Sequence, residues 1–242
     1  MLKEHSLTEN EFTVIGSILW MLFLAVGIQM MLGLIAVAGF GALGMKSNEI
    51  DLIFIRPDAI AIIGTIAAIL SIPLIKIASN FKGKSFPLKF LGIQWADRST
   101  LIRILLIGVG YYLFASVLSY VLSIDTPQFM LDVKSHTNTT FDVLMLVIGI
   151  CVVAPIIEEI IFRGLAYTRL VQSGVGETGT IIIISLVFTI IHTQYDAIVL
   201  ITLLPFAFLL GYVRYKTGNL IYCIALHMQL NAFSTIELFV FL

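Results

Sequence analysis

Charged residues are scarce in this sequence. Asp, Glu, Lys and Arg make up 12% of its 242 residues, whereas 59% are hydrophobic. Soluble domains carry about 25% charged residues, so this composition excludes an ordinary water-soluble domain. The net charge of −1 also lacks the positive excess typical of nucleic-acid-binding proteins, and no nucleic-acid partner is expected.

Cysteine is scarce as well. The two cysteines, Cys151 and Cys223, both lie inside long apolar runs. A disulfide framework of the secreted kind is therefore not expected.

Long apolar runs recur along the whole chain, and each is long enough to cross about 30 Å of hydrocarbon as a helix. The run 13–44 is about twice the length of a signal-peptide core, so it is interpreted as a retained first helix. The sequence predicts an all-α, polytopic membrane helix bundle forming a single domain over 1–242. The predicted spans are 13–44, 58–79, 101–123, 141–165, 179–195, 197–213 and 219–241.

Lysine and arginine are unevenly distributed between the predicted loops. Short basic loops stay in the cytoplasm, and a cytoplasmic N-terminus followed by seven spans puts most of the 14 basic residues there. The exceptions are Lys46, Arg56 and Lys134. The segment 76–98 is predicted to be a basic amphipathic hairpin on the membrane surface. We therefore predict a multi-pass cell-membrane protein with a cytoplasmic N-terminus.

Several polar side chains fall inside the later spans, where charge is costly and usually faces the protein interior. They occupy three separate helices at a similar predicted depth, roughly 14 to 20 Å from the turns on one side of the membrane. Isolated polar groups in lipid would go unsatisfied, so a shared buried site is expected. These residues are Glu158, Glu159, Arg163, His192, His227 and Asn231.

Helix geometry predicts different roles for these groups. Glu159 and Arg163 are four residues apart, which favours an ion pair on one helix face. Glu158 points about 100° away and has no partner on its own helix. His227 and Asn231 are also four apart and lie side by side.

This set of groups suits hydrolysis. A carboxylate such as Glu158 can take a proton from water and return it to a leaving amine, and an imidazole such as His192 can help to position that water. A second imidazole and a carboxamide, from His227 and Asn231, could stabilise the oxyanion of a tetrahedral intermediate. The residues alone therefore indicate cleavage of an amide or ester within the bilayer.

Three short motifs carry a resemblance to a known family. "EEIIFR" (158–163), "FTIIH" (188–192) and "HMQLN" (227–231) match the patterns EExxxR, FxxxH and HxxxN in that order. The sequence resembles the CAAX protease and bacteriocin-processing family, also called CPBP or Abi. These are intramembrane glutamate proteases related to type II CAAX prenyl endopeptidases. The resemblance covers about 141–235, the predicted catalytic core.

The resemblance implies a role for each matched position. Glu158 would be the catalytic base acting with His192 on water, and His227 with Asn231 would form the oxyanion hole. Glu159, Arg163 and Phe188 would support the site. It also implies about seven or eight helices around a conical cavity open to the cytoplasm and the lipid, and metal-free catalysis without a cofactor.

The alternative functions use the same residues differently. Glu158, His192 and His227 could bind zinc, although the chain lacks HExxH, and Cys223 with His227 could form a thiol site. Arg163 could instead extend to lipid headgroups.

A membrane scaffold or bacteriocin immunity factor that cuts nothing is the alternative from another class. If the protein is a protease, its expected substrate is a membrane-associated or lipid-anchored peptide or protein.

Overall fold

Residues 12–80 and 86–241 are described by a computed structural model. Every regular element within these ranges is helical, which confirms the predicted all-α class. The predicted surface hairpin 76–98 lies partly outside the described residues, at 81–85.

The described chain forms seven long helical arms and three short helices. The short helices are α2, α4 and α6, each of which connects two long arms. In chain order the elements are α1 (Val14–Ala42), α2 (Ser47–Phe54), α3 (Pro57–Ala78), α4 (Leu88–Leu91), α5 (Arg98–Val121), α6 (Gln128–Ser135), α7 (140–170), α8 (Gly176–Ile190), α9 (Ala197–Thr217) and α10 (Leu220–Val240).

Six helical stretches of the described chain are long and apolar enough to cross a membrane. The fourth, Thr140–Ile190, contains both α7 and α8 and is bent at Gly174 and Gly176, whose φ angles are 88° and 75°. Beyond this turn α8 runs back along α7, since the rings of Phe162 and Phe188 are 5.2 Å apart. The long arms therefore lie where the seven spans were predicted, as expected for a multi-pass membrane protein.

One predicted boundary is wrong. The span 179–195 was expected to include His192, but α8 ends at Ile190 and His192 lies in the turn that leads to α9. The backbone N–H of His192 donates to the Thr189 carbonyl at 3.2 Å, and that of Tyr195 donates to the His192 carbonyl at 3.1 Å. The polar run HTQYD (192–196) forms this turn, so His192 is placed by a turn and not by a regular helix.

Helices α7 and α10 form the centre of the bundle. Helix α10 packs against α5, α7 and α9, while α1 and α3 also pack on α7. Helices α5 and α10 approach each other closely at Gly108, where an added Cβ would overlap the side-chain amide of Gln229. The core contains fully buried side chains, among them Phe162, Phe188, Leu210 and Leu226.

Helix α7 contains two π-helical segments, Val147–Val153 and Ile160–Ala166, one on each side of Glu158 and Glu159. At the end of the first, the N–H of Ala154 donates to the Gly149 carbonyl, five residues back. At the end of the second, the N–H of Tyr167 donates to the Phe162 carbonyl, again five residues back. An α-helix would use the carbonyls four residues back, which belong to Ile150 and Arg163. Both carbonyls thus lose their usual donor.

The segment around α4 is held against the start of α10. The N–H of Leu220 donates to the Gly92 carbonyl at 2.8 Å, and the N–H of Asp97 donates to the Tyr222 hydroxyl at 2.7 Å. Leu91 is fully buried beside Gly164, where an added Cβ would lie 3.2 Å from Leu91 Cδ2. This segment of the N-terminal half therefore packs directly on the helix that carries the glutamates.

Candidate active site

A buried ion pair lies at the centre of the site. Arg163 Nη1 is 3.0 Å from Glu159 Oε1, and both side chains have 0% exposure. Arg163 Nη2 also donates to the Ala207 carbonyl at 3.0 Å, and the guanidinium lies 4.5 Å from the Phe188 ring centroid. Since Arg163 is fully enclosed, its guanidinium does not extend to the headgroup region.

Glu159 also holds a histidine from α10. His227 Nδ1 lies 2.9 Å from Glu159 Oε1, and a carboxylate oxygen accepts, so Nδ1 is the donor. The imidazole is further enclosed by the rings of Phe188 and Phe206, at centroid distances of 5.8 and 5.6 Å. This leaves Nε2 as the free ring atom in a fixed position.

Glu158 faces that free nitrogen. Its Oε2 lies 3.8 Å from His227 Nε2, and 23% of its side chain is exposed. This distance is too long for a direct hydrogen bond, but it is a separation that one water molecule can bridge. Glu158 is thus the more accessible carboxylate of the pair, and Glu159 is the enclosed one.

His192 is positioned by Phe188. Its Nδ1 lies 2.6 Å from the Phe188 carbonyl, which makes Nδ1 the donor and leaves Nε2 free. The imidazole packs on the Phe188 ring at 4.7 Å and is stacked with the Tyr195 ring at 6.1 Å. Phe188 therefore contacts both imidazoles. No hydrogen bond joins His192 to Glu158 within the described ranges.

Asn231 binds the backbone of α7. Its Nδ2 donates to the Ile150 carbonyl at 2.9 Å, the acceptor that the first π-helical segment leaves without its usual donor. The carboxamide has a second N–H on the same nitrogen. His227 and Asn231, four residues apart on α10, thus each bind α7, one at a side chain and the other at the main chain.

The predicted residues are therefore brought together to different degrees. Direct contacts within 3.8 Å link four of them, His192 joins through Phe188, and Asn231 joins through the backbone of α7. The four directly linked residues are Glu158, Glu159, Arg163 and His227.

The sequence pattern did not predict the cross-helix contacts. The bond from His227 to Glu159 joins positions 68 residues apart, and the only signal was the similar depth of the two residues. Arg214 is a further contributor: its Nε donates to the Arg163 carbonyl at 2.8 Å. Nothing in the sequence indicated that this carbonyl would need a donor.

The zinc site and the thiol site, the two alternatives from the sequence, can be compared with this geometry. The described residues include no group of three or more His, Cys, Asp or Glu side chains arranged to hold a metal ion. The Cys223 thiol donates to the Leu210 carbonyl at 3.5 Å, so its hydrogen bond goes to the backbone of α9 and not to His227.

A membrane bundle that places a partly exposed carboxylate beside an oriented imidazole defines a candidate intramembrane hydrolase. Residues 140–233 match the family model described as type II CAAX prenyl endopeptidase Rce1-like. This match agrees with the resemblance seen in the three motifs and supports a CAAX-type intramembrane protease. No curated protein and no solved structure matched the chain.

Proposed function

We propose that this protein is an intramembrane endopeptidase in which Glu158 activates a water molecule without a metal ion. The observation that carries the proposal is the 3.8 Å separation of Glu158 Oε2 and His227 Nε2. Glu159, which is itself paired with Arg163, holds His227 in place from its other nitrogen. The accessible carboxylate can thus act on water while the enclosed one fixes the imidazole.

The proposed reaction balances with these groups alone. Glu158 takes a proton from water, and the hydroxide oxygen forms a bond to the carbonyl carbon of the scissile peptide. The C–N bond then breaks as Glu158 returns that proton to the leaving amine. His192, through its free Nε2, helps to orient the water.

The oxyanion of the intermediate needs donors aimed at one point. His227 can donate from Nε2 when its imidazole carries both protons, because Nδ1 already donates to Glu159. Asn231 can donate its second amide N–H, because its first is bound to the Ile150 carbonyl. Each donor would thus be oriented by a contact with α7.

The substrate that suits this site is a peptide or protein held near the membrane. A lipid anchor, such as the prenyl group named in the family description, or a hydrophobic leader would bring the scissile bond to the bundle. The lipid bilayer is therefore part of the recognition, and no nucleic acid takes part.

The distribution of basic residues supports an active-site cavity that opens toward the cytoplasm, with the N-terminus on the same side. Single cysteines at the exposed positions Lys89 and Ser135 can be labelled in intact cells by a reagent that does not cross membranes. We expect labelling at position 135 only. Labelling at position 89 only would contradict this orientation.

The function can be tested with purified protein in lipid vesicles and two quenched fluorescent peptides. One peptide carries a prenylated cysteine, and the other carries a hydrophobic leader. We expect cleavage of at least one, unchanged by a zinc chelator or by a thiol-alkylating reagent. Loss in chelator with recovery on adding zinc would support the zinc alternative, and loss on alkylation would support the thiol alternative. Cleavage of neither would favour a non-catalytic scaffold.

A further inference from the structure

Arg214, in the last turn of α9, is a buried cation whose described contacts include no carboxylate. Its residue exposure is 7%, and no ion pair joins it to a described acidic side chain. Its Nε donates to the Arg163 carbonyl at 2.8 Å, and its guanidinium lies 4.9 Å from the Tyr167 ring centroid. It also packs so closely on Gly92 that no Cβ would fit there.

The acceptor of this hydrogen bond is one that helix α7 cannot use. In an α-helix the N–H of Tyr167 would donate to Arg163, but here it donates to the carbonyls of Phe162 and Gly164. The carbonyl of Arg163 would be buried without a partner, which is costly. Arg214 supplies the missing donor from a neighbouring helix.

The same arrangement occurs on the other side of the glutamates. The Ile150 carbonyl loses the N–H of Ala154 to Gly149, and the Asn231 amide binds it at 2.9 Å. In each π-helical segment that flanks Glu158 and Glu159, one carbonyl lacks its usual backbone donor, and a side chain from another helix donates to it. π-Helical turns are frequent at functional sites.

We propose that Arg214 is a positioning residue, which stabilises the π-helical turn 160–166 by binding the Arg163 carbonyl and so fixes the glutamates relative to His227. This role rests on the proposed proteolytic function.

The physical reason lies in helix register. If the Arg163 carbonyl paired with the N–H of Tyr167, the turn would become α-helical. Losing the extra residue of the π-helical turn would rotate the part of α7 before the turn relative to the part after it. One residue of helix register corresponds to a rotation of up to about 100°. Such a rotation would move Glu158 away from the imidazole of α10. The hydrogen bond from Arg214 favours the π-helical register over this alternative.

Two substitutions of similar shape separate the hydrogen bond from the packing and the charge. Arg214→Gln places an amide N–H at the chain position of the arginine Nε, so it keeps the donor and removes the charge. Arg214→Met has a methyl group at that position and removes both. The two variants therefore differ in whether the Arg163 carbonyl has a donor.

We expect Arg214→Met to lower kcat by about tenfold or more with little change in KM, because small displacements at an active site can cost up to 100-fold. Arg214→Gln should retain most of the kcat. The substrate is the prenylated or leader peptide that wild type cleaves, and rates are taken per folded molecule. Equal kcat for both variants would overturn the proposal, because charge or bulk would then be the property that matters.

A second measurement does not need activity. Hydrogen exchange of the backbone amides in 160–170 should be faster in Arg214→Met than in wild type, and unchanged in Arg214→Gln. Unchanged exchange in Arg214→Met would overturn the proposed positioning role. The Glu158→Gln variant is measured in parallel: if it cleaves normally, the proposed function fails, whatever Arg214 does.

Discussion

Glu158→Gln is expected to abolish peptide cleavage while the protein stays folded. The amide has nearly the same shape as the carboxylate, but it cannot take a proton from water. Loss of a general base costs about 100-fold or more in rate. The side chain is partly exposed and makes no ion pair with Arg163, so stability should change little. The rate of cleavage in lipid vesicles and the thermal unfolding temperature are the two measurements.

Glu177→Gln is the matched control for this prediction. Glu177 is an exposed carboxylate on the same α7–α8 hairpin, in the first turn of α8. The same chemical change at that position should leave the rate unaltered. If Glu158→Gln cleaves as fast as Glu177→Gln, Glu158 is not the base.

Glu159→Ala is expected to be the most destabilising substitution at the site. It leaves the Arg163 guanidinium buried without its carboxylate and removes the acceptor for His227 Nδ1. Breaking a buried pair by removing one partner costs about 3–5 kcal/mol. The expected result is a large fall in the free energy of unfolding, measured by denaturant titration in detergent micelles.

Removing both charges together should cost less than removing one. In Glu159→Ala with Arg163→Met no unpaired charge remains, so part of the lost stability should return. Activity should not return, because His227 still lacks its orienting partner. The exposed control Glu177→Ala should change stability by no more than about 0.5 kcal/mol. Equal losses in Glu159→Ala and Glu177→Ala would show that the buried pair is not structurally important.

Much of the fold could be predicted from hydrophobic length alone. A chain that crosses lipid must satisfy its backbone hydrogen bonds internally, as a helix does. Each apolar run of sufficient length therefore predicts one arm, and α1, α3 and α5 lie where expected. The end of α8 was misplaced because the residues after Ile190 still include apolar and aromatic side chains. Composition does not show where a polar turn begins.

Local spacing predicted the ion pair of Glu159 and Arg163, because residues four apart on a helix are neighbours. It could not predict the π-helical segments, which depend on which backbone hydrogen bonds form within α7. It also could not predict that His227 would bind Glu159, or that Asn231 and Arg214 would bind main-chain carbonyls. Those contacts depend on how α9 and α10 pack against α7. The spacing of residues along a single helix does not show which residues of another helix will lie beside it.

The central claim is that Glu158 and His227 act together in one hydrolytic site, Glu158 as the base that activates water and His227 as a donor to the oxyanion. The most direct measurement compares the cleavage rates of Glu158→Gln, His227→Ala and the double variant in the same vesicles. Residues that act as a unit show strongly non-additive losses. We therefore predict that the double variant loses no more activity than the worse single variant. Losses that multiply in the double variant would mean that the two residues act independently, and would contradict the shared site.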